Sequence, residues 1–270
     1  MRDPAVAAVI EWWSANARAL PWRATRDVYA VWVSEVMSSQ TTVARSAAAW
    51  ERWMRRWPTV HALATASLTD VLAEWHGLGY PRRARDLHRS ARIVAASGWP
   101  DDLTQLPGVG AYVAAAIRCF ALQEPVLPVD VNVRRVLDRR LPGGIDIAGD
   151  PWRAGQAIME FGQRICAARP RCGECPVSDG CPTVGALGGA AAARSAPRAR
   201  SAPGPGAASL PVRRRRPYEG SVRQRRGRLL GRVLAEGVVE LAADDREAAR
   251  GLVADGLAFL DDAGRLRTPD

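Results

Sequence analysis

The stretch that decides the fold runs from Leu106 to Arg135 and reads LPGVGAYVAAAIRCFALQEPVLPVDVNVRR. It opens with a Leu-Pro-Gly-Val-Gly turn that leads directly into a helix-compatible segment, Ala111 to Leu122. Gly108 and Gly110 can adopt positive φ and allow another part of the backbone to approach closely. The first amides of the following helix then lie at the positive end of its dipole, where a phosphate binds favourably. The turn therefore predicts a phosphate contact.

A single carboxylate, Asp130, follows in the same stretch, between the apolar run Val126–Val129 and the basic segment Asn132–Arg135. A phosphate-binding turn and one acid on a basic surface suggest chemistry on the backbone or sugar of a nucleic acid. The alternative is an ordinary packing corner between two helices with an aspartate at its surface. These residues alone leave both interpretations open.

The composition favours a polyanionic partner, because the 270 residues carry a formal net charge of +10. All of the basic residues are arginine, and the sequence contains no lysine. No apolar run reaches the roughly 18 residues of a membrane span, and the N-terminus has no signal-peptide pattern. We therefore expect a soluble, monomeric, cytoplasmic protein that associates with the bacterial nucleoid.

The apolar residues recur at helical spacing from Tyr29 to Ala96, and no stretch alternates with period two, which predicts an all-α fold. Further helices are predicted over Val6–Ala17, Trp152–Ala167 and Val222–Glu236. Residues 184–211 consist mainly of Ala, Gly, Pro, Ser and Arg and predict a flexible linker. A hairpin predicted around 256–264 makes residues 212–270 a small winged-helix-like module.

Four cysteines follow the helix predicted after residue 152, with C-x5-C-x2-C-x5-C spacing: Cys166, Cys172, Cys175 and Cys181. This spacing is typical of metal ligands, and a disulfide framework is not expected in an intracellular chain of this size. Zinc binds four thiolates, although its sites usually have two separated C-x2-C pairs. All four cysteines lie within one compact loop, which favours a 4Fe–4S cluster. A fifth cysteine, Cys119, is predicted to be a small buried apolar residue.

Several motifs occur in an order that resembles the endonuclease III superfamily of helix–hairpin–helix DNA glycosylases, and within it the MutY-type adenine glycosylases. They are Leu20-Pro21-Trp22-Arg23, Val31 to Met37, Gly77-Leu78-Gly79-Tyr80, the Leu106–Gly110 turn, Val129-Asp130 with Asn132-Val133, and the four cysteines. The resemblance covers residues 5–182. It implies a two-lobed helical fold with a six-helix domain over 25–130 and an iron–sulfur domain built from 1–24 and 131–183.

The resemblance also assigns catalytic roles. Glu35 would protonate the departing adenine, and we expect its apolar and aromatic surroundings to raise its pKa. Asp130 would stabilise the oxocarbenium ion that forms on the sugar, as carboxylates do in glycosidases. Asn132 would orient Asp130 or the attacking water, and Tyr112 would lie beside the catalytic groups.

The same resemblance implies further contacts with double-stranded DNA that contains a mismatched or oxidised base pair. Trp22 and Arg23 would line the pocket for the flipped base. The residues expected to contact the duplex lie in three turns and are Gln40, Tyr80, Leu106, Gly108, Val109 and Gly110. Endonuclease III cleaves the backbone through a lysine Schiff base in the helix–hairpin–helix, and the matching residue here is Tyr112. A chain without lysine should therefore be a monofunctional glycosylase that leaves an abasic site.

The sequence departs from the family at the residues that recognise the opposite base. Ser38 and Ser39 replace the usual Leu-Gln, and Pro81 replaces a second tyrosine that acts as a wedge beside 8-oxoguanine. The segment after the linker is shorter than the family's Nudix-like reader of 8-oxoguanine. Two other hypotheses stay open: a glycosylase for thymine or uracil opposite guanine, and a non-catalytic relative that binds lesions. The presence of Glu35 argues against the first hypothesis, because the loss of a pyrimidine does not need protonation at N7. The presence of both Glu35 and Asp130 argues against the second, because a protein that only binds lesions needs neither acid.

Overall fold

The computed structural model describes residues 4–141, 144–184 and 219–269. The predicted linker over 184–211 therefore falls, except for its first residue, outside the described residues. The α-helices in these ranges are α1 (Pro4–Asn16), α2 (Val28–Ser38), α3 (Val43–Arg56), α4 (Val60–Ala64), α5 (Leu68–Glu74), α6 (Arg82–Ser97), α7 (Ala111–Phe120), α8 (Val131–Arg140), α9 (Pro151–Arg164), α10 (Val222–Glu236) and α11 (Arg246–Ala254). Short 3-10 helices span Pro21–Ala24, Leu103–Gln105, Cys172–Glu174 and Ala243–Asp245.

The described residues form two compact units, one from residues 4–19, 115–141 and 144–184, the other from Leu20–Ala114 and residues 219–269. The boundary between the two units falls within α7, between Ala114 and Ala115. The sequence predicted a boundary after Asp130 instead.

The first unit is built around α9, against which both α1 and α8 pack. A buried carboxylate, Glu160, joins α1 to α9. It accepts hydrogen bonds from the Trp13 indole at 3.0 Å and from the Arg18 backbone and side chain at 3.2 and 2.7 Å. Arg164 also donates to it, at 3.1 Å. The charge is therefore buried with its partners, as burial of a carboxylate requires.

The second unit contains α2 to α6 and the start of α7. Asp27 caps α2 by accepting from the Ala30 amide at 2.8 Å, and Ser67 caps α5 in the same way. Tryptophans fill its core: Trp53 is fully buried and contacts Trp57 and Trp75 edge to face. The helical spacing of these tryptophans is therefore explained by packing.

The C-terminal residues of the second unit form a small module of α10, α11 and three two-residue strands. The strands are β1 (Val238–Val239), β2 (Phe259–Leu260) and β3 (Leu266–Arg267), antiparallel in the order β1-β3-β2. β2 and β3 form the hairpin expected from the sequence. A helix, a strand, a second helix and a hairpin, with β3 in the centre of the sheet, is the arrangement of a winged helix.

The mainly helical prediction is correct, and the differences concern helix ends. α10 has the predicted bounds, whereas α7 ends at Phe120 rather than Leu122, because the Leu122 amide bonds to the Ile117 carbonyl, five residues back, and not to the Arg118 carbonyl that would continue the helix. Within the described ranges, none of the helices combines the length and apolar character that crossing a membrane would require.

Candidate active site

The glycine turn between Leu106 and Gly110 is held against α6. Gly108 has a φ of +77°, and a Cβ at this position would lie 2.9 Å from the Asp86 Cβ. Only glycine fits both constraints. The Ser90 hydroxyl donates to the Pro107 carbonyl at 2.8 Å and fixes the turn from the same helix.

The other turn residues have different roles. Gly110 does not adopt positive φ, and its carbonyl accepts the Ala114 amide at 3.0 Å, so it begins α7. The side chains of Leu106 and Val109 are buried, at 3% and 4% exposure. A DNA contact at these two positions would therefore use the backbone rather than the side chains.

Two predicted catalytic residues of the second unit are in contact. The Tyr112 hydroxyl, in the first turn of α7, donates to Glu35 Oε2 at 3.1 Å. Glu35 is half-buried on α2, which also carries the fully buried Trp32. Trp99 contacts Trp32 edge to face at 5.6 Å. The carboxyl group thus belongs to a helix packed among aromatic rings and has a hydroxyl partner that fixes its orientation.

The other predicted pair, Asp130 and Asn132, lies in the first unit at the start of α8. Asp130 caps this helix: its Oδ1 accepts the backbone amides of Asn132 at 2.8 Å and Val133 at 2.7 Å. The Asn132 side-chain amide donates to Asp130 Oδ2 at 2.7 Å. Three N–H donors therefore hold one half-buried carboxylate in a single orientation.

α8 also connects this carboxylate to the cysteine loop. Arg135 Nη1 donates to Asn132 Oδ1 and to the Gly162 carbonyl, both at 3.1 Å, and to the Cys166 carbonyl at 3.4 Å. One helical turn later, Arg139 donates to the Ala167 carbonyl at 2.7 Å. One face of α8 thus reaches from the predicted catalytic residues to the loop.

The four cysteines surround one small cavity, together with Arg139 and Arg140. Burial raises the pKa of the Cys166 and Cys175 thiols. In the described part of the chain, no three His, Cys, Asp or Glu side chains meet closely enough to hold one metal ion. Four cysteine side chains around one cavity are nevertheless the donor set that a 4Fe–4S cluster takes.

The two predicted side-chain readers of DNA are at a shared edge of the second unit. Gln40 and Tyr80 are both exposed and have positive φ, +54° and +50°. Arg83 joins their loops, because it donates to the Val36 and Ser39 carbonyls at 2.7 and 2.5 Å and to the Leu78 and Gly79 carbonyls at 3.2 Å. Desolvation lowers its pKa.

The two residues predicted for the base pocket lie in the 3-10 helix Pro21–Ala24, which contacts α2 and α3. Trp22 is buried and contacts Trp50 edge to face at 6.2 Å. Arg23 is half-buried. Both therefore belong to the same unit as Glu35 and Tyr112.

Comparison with known proteins shows the family of this chain. The model of the HhH-GPD superfamily of base excision DNA repair proteins matches residues 33–142. An adenine DNA glycosylase of Mycobacterium tuberculosis (strain CDC 1551 / Oshkosh) is 40% identical over 249 residues, which covers 82% of this chain and 76% of that protein. This chain belongs to the adenine DNA glycosylase family.

Other members of the adenine DNA glycosylase family match a smaller share of the chain. The protein of Mycolicibacterium smegmatis is 41% identical over 197 residues, covering 63% of this chain and 66% of its own length. The human protein is 40% identical over 207 residues, and the match spans 64% of this chain but only 38% of the human chain.

Solved structures support the fold of this adenine DNA glycosylase family member. A thermostable thymine-DNA glycosylase has a TM-score of 0.60 at 24% identity, covering 66% of this chain and 93% of that one. An endonuclease III trapped as a covalent intermediate with DNA has a TM-score of 0.55 at 22% identity, covering 66% and 93%. The predicted helix–hairpin–helix glycosylase fold is confirmed.

Three residues that hold the predicted site residues in place could not be assigned this role from the sequence. They are Arg83, which joins the two loops, Arg135, which braces Asn132, and Gly162, whose Cβ would lie 2.7 Å from the Asn132 carbonyl oxygen. Gly162 is recognisable only as a helical glycine, which suggests close packing. Neither arginine is distinguishable among so many others without the fold.

Proposed function

We propose that this chain is a DNA glycosylase that hydrolyses the N-glycosidic bond of adenine mispaired with 8-oxoguanine or guanine in double-stranded DNA. The observation that carries the proposal is a pair of carboxylates held in different surroundings, in a chain of this family. Glu35 is half-buried and accepts a hydrogen bond from the Tyr112 hydroxyl, whereas Asp130 accepts three N–H groups. Hydrolysis of a glycosidic bond uses two carboxyl groups with different roles.

Access to the base comes first. The target adenine must leave the duplex, which takes a few kcal/mol of unstacking free energy. The backbone of the Leu106–Gly110 turn would hold a phosphate beside it. Gln40 and Tyr80 would contact the stack that the adenine leaves, and Trp22 with Arg23 would line its pocket.

Glu35 would then act as the general acid. Its proton passes to N7 of adenine, the bond between C1′ and N9 breaks, and the electron pair of that bond stays on the base, which departs neutral. Tyr112 would keep the carboxyl group in one orientation through its hydrogen bond. General acid catalysis of this kind contributes typically about 10²–10⁴-fold to the rate.

Asp130 would stabilise the positive charge that develops on the sugar. Its ionised carboxylate faces the oxocarbenium ion or bonds briefly to C1′ until water adds there and loses a proton. The product is an abasic site. Asn132 would hold Asp130 through the side-chain amide, so that the carboxylate does not rotate away from the sugar.

The same reaction leaves the DNA backbone uncut. Strand cleavage through a Schiff base needs an amine, and the sequence contains no lysine. Tyr112 stands at the position where endonuclease III has its lysine. We therefore propose a monofunctional enzyme.

Cys166, Cys172, Cys175 and Cys181 would hold a 4Fe–4S cluster. When bound, the cluster would cross-link the loop beside α8 and take no part in the hydrolysis. Arg135 and Arg139 would connect the loop to the helix that begins at Asp130.

Single-turnover assays on four duplexes test this function: adenine opposite 8-oxoguanine, adenine opposite guanine, thymine opposite guanine and uracil opposite guanine. We expect strand breaks only in the two adenine duplexes, and only after alkali treatment. Release of thymine or uracil alone would overturn the adenine assignment. Tight binding without any release would favour a lesion-binding protein, and breaks without alkali would contradict the monofunctional assignment.

A further inference from the structure

A cleft of about 690 Å³ separates the C-terminal module from the loops that carry Gln40 and Tyr80. Gln40 and Tyr80 line one side of this cleft, and Arg223 and Arg226 of α10 line the other. All four residues belong to the second unit. DNA that contacts Gln40 and Tyr80 must therefore pass beside α10.

Arginines of the helical body anchor the module through Asp255, which follows α11. The Asp255 carboxylate accepts a hydrogen bond from Arg226 of the module and pairs with Arg82 at 3.6 Å. Its backbone carbonyl accepts a hydrogen bond from Arg85. The Asp255 side chain is only 15% exposed, so its ion pairs are largely shielded from solvent. α10 is thus held in a defined position along the cleft.

Arg223 differs from the other arginines of the cleft. Arg82 and Arg226 pair with Asp255, and Arg83 uses both Nη atoms on backbone carbonyls. Arg223 is exposed, and its guanidinium lies 4.9 Å from the centre of the Tyr80 ring. No carboxylate in the described ranges pairs with it, so its charge remains available to a ligand.

We propose that Arg223 binds a backbone phosphate of the DNA strand that lies against Gln40 and Tyr80, which makes α10 the second wall of the DNA-binding cleft. This inference rests on the proposed function, because it takes DNA as the ligand of the two loops. A guanidinium matches a phosphate in charge and in geometry. A phosphate contact positions the duplex and carries no base specificity.

The test compares Arg223→Ala with Arg232→Ala by measuring the dissociation constant of the full-length protein over a range of salt concentrations. Arg232 is a matched control, because it lies on the same helix but pairs with Glu236 and does not line the cleft. Each neutralised phosphate contributes about 0.9 to the slope of log K against log salt for duplex DNA. We expect Arg223→Ala to reduce the magnitude of this slope by about 1 and to raise the dissociation constant roughly tenfold.

Both effects should be equal on a mismatched and on a fully paired duplex, whereas Arg232→Ala should leave slope and affinity unchanged. Arg223→Lys should keep the slope, because it keeps the charge. An unchanged slope in Arg223→Ala, an equal loss in Arg232→Ala, or a loss confined to the mismatched duplex would overturn the proposal.

Excision measured over a range of enzyme concentrations separates this inference from the proposed function. We expect Arg223→Ala to need roughly tenfold more enzyme than the wild type to reach its maximal single-turnover rate of adenine release, whereas Arg232→Ala should release adenine as the wild type does. Normal adenine release with an unchanged salt slope would refute the phosphate site alone. A lower slope in a protein that releases no adenine would refute the proposed function and support the phosphate site.

Discussion

Asp130 combines two roles that the sequence could not separate. It caps α8 through the Asn132 and Val133 amides, which is the role of an ordinary packing corner, and the proposed chemistry requires its negative charge. The packing-corner interpretation is therefore confirmed for the cap, and the catalytic role of Asp130 stays a prediction. The substitution that distinguishes them must keep the cap and remove the charge.

Asp130→Asn meets this requirement, because asparagine caps helices as well as aspartate does. We expect normal affinity for an adenine mismatch and a loss of stability of about 1 kcal/mol, because the Asn132 side-chain amide loses its acceptor. The single-turnover rate of adenine release should fall by at least about 10²-fold, the typical effect of removing a group that stabilises developing charge. The measurement is release after alkali at saturating enzyme, with the urea midpoint as the control. Wild-type release by this variant would reduce Asp130 to a structural cap.

Close packing between α8 and α9 is the feature that holds this site at the level of elements. α9 has glycines where it faces its neighbours: a Cβ at Gly155 would lie 2.9 Å from Cys119 Sγ, and one at Gly162 would lie 2.7 Å from the Asn132 carbonyl oxygen. The second contact is with backbone, which cannot rotate away. α9 therefore determines where α8 begins and where Asp130 points.

Gly162→Ala should push α8 away from α9. We expect a destabilisation of about 1–3 kcal/mol, as for overpacked cores, together with a slower release of adenine because Asn132 and Asp130 move. Denaturant unfolding and single-turnover kinetics measure the two effects. Gly231→Ala is the control, because a Cβ there would meet only His76 Cε1 at 3.4 Å, it lies on α10 outside the cleft, and alanine favours helix there. Equal stability and rates in both variants would show that the contact is not restrictive.

Local patterns predicted the elements better than the contacts between them. α10 was predicted with its observed bounds, since Ser221 caps it and Gly237 follows it. The positive φ of Gly108 follows from its turn. In contrast, Glu160 is a helical glutamate by its sequence, and only the fold surrounds it with Trp13, Arg18 and Arg164. Such contacts join residues far apart along the chain.

The candidate site shows the same division. The motif order predicted Glu35, Tyr112, Asp130 and Asn132, and each contacts one other member of the set. Their catalytic roles stay a prediction. The part played by the C-terminal module could not be predicted, because the contact between Arg223 and Tyr80 joins segments with no common pattern. Arginine is so frequent in this chain that its position carries little information until the fold is known.

The loop that carries the four cysteines is attached to α8, because Arg139 and Arg140 donate hydrogen bonds to its backbone carbonyls. Changes in the loop should therefore alter the stability of the whole protein. Metal binding to a site that exists only in the folded state stabilises that state. Loss of the proposed 4Fe–4S cluster should therefore lower the free energy of unfolding and weaken the contacts at both ends of α8.

Cys175→Ala should lose iron and acid-labile sulfide together, unfold at lower urea concentration and release adenine slowly. Cys119→Ala is the matched control: Cys119 is fully buried, bonds to the Pro151 carbonyl at 3.2 Å and does not line the cysteine cavity. It should retain iron and activity. Wild-type protein that contains zinc and no sulfide, or full iron in Cys175→Ala, would contradict the cluster assignment.

The proposed mechanism depends above all on protonation of adenine at N7 by Glu35, which can be tested by replacing N7. Single-turnover rates are measured on two duplexes that differ only at the target base, adenine or 7-deazaadenine, which has carbon in place of N7. The wild-type protein should release adenine at least about 10²-fold faster than 7-deazaadenine, whereas Glu35→Gln should release both slowly and without this preference. If the wild-type protein released the two bases at equal rates, Glu35 would not act by protonating N7.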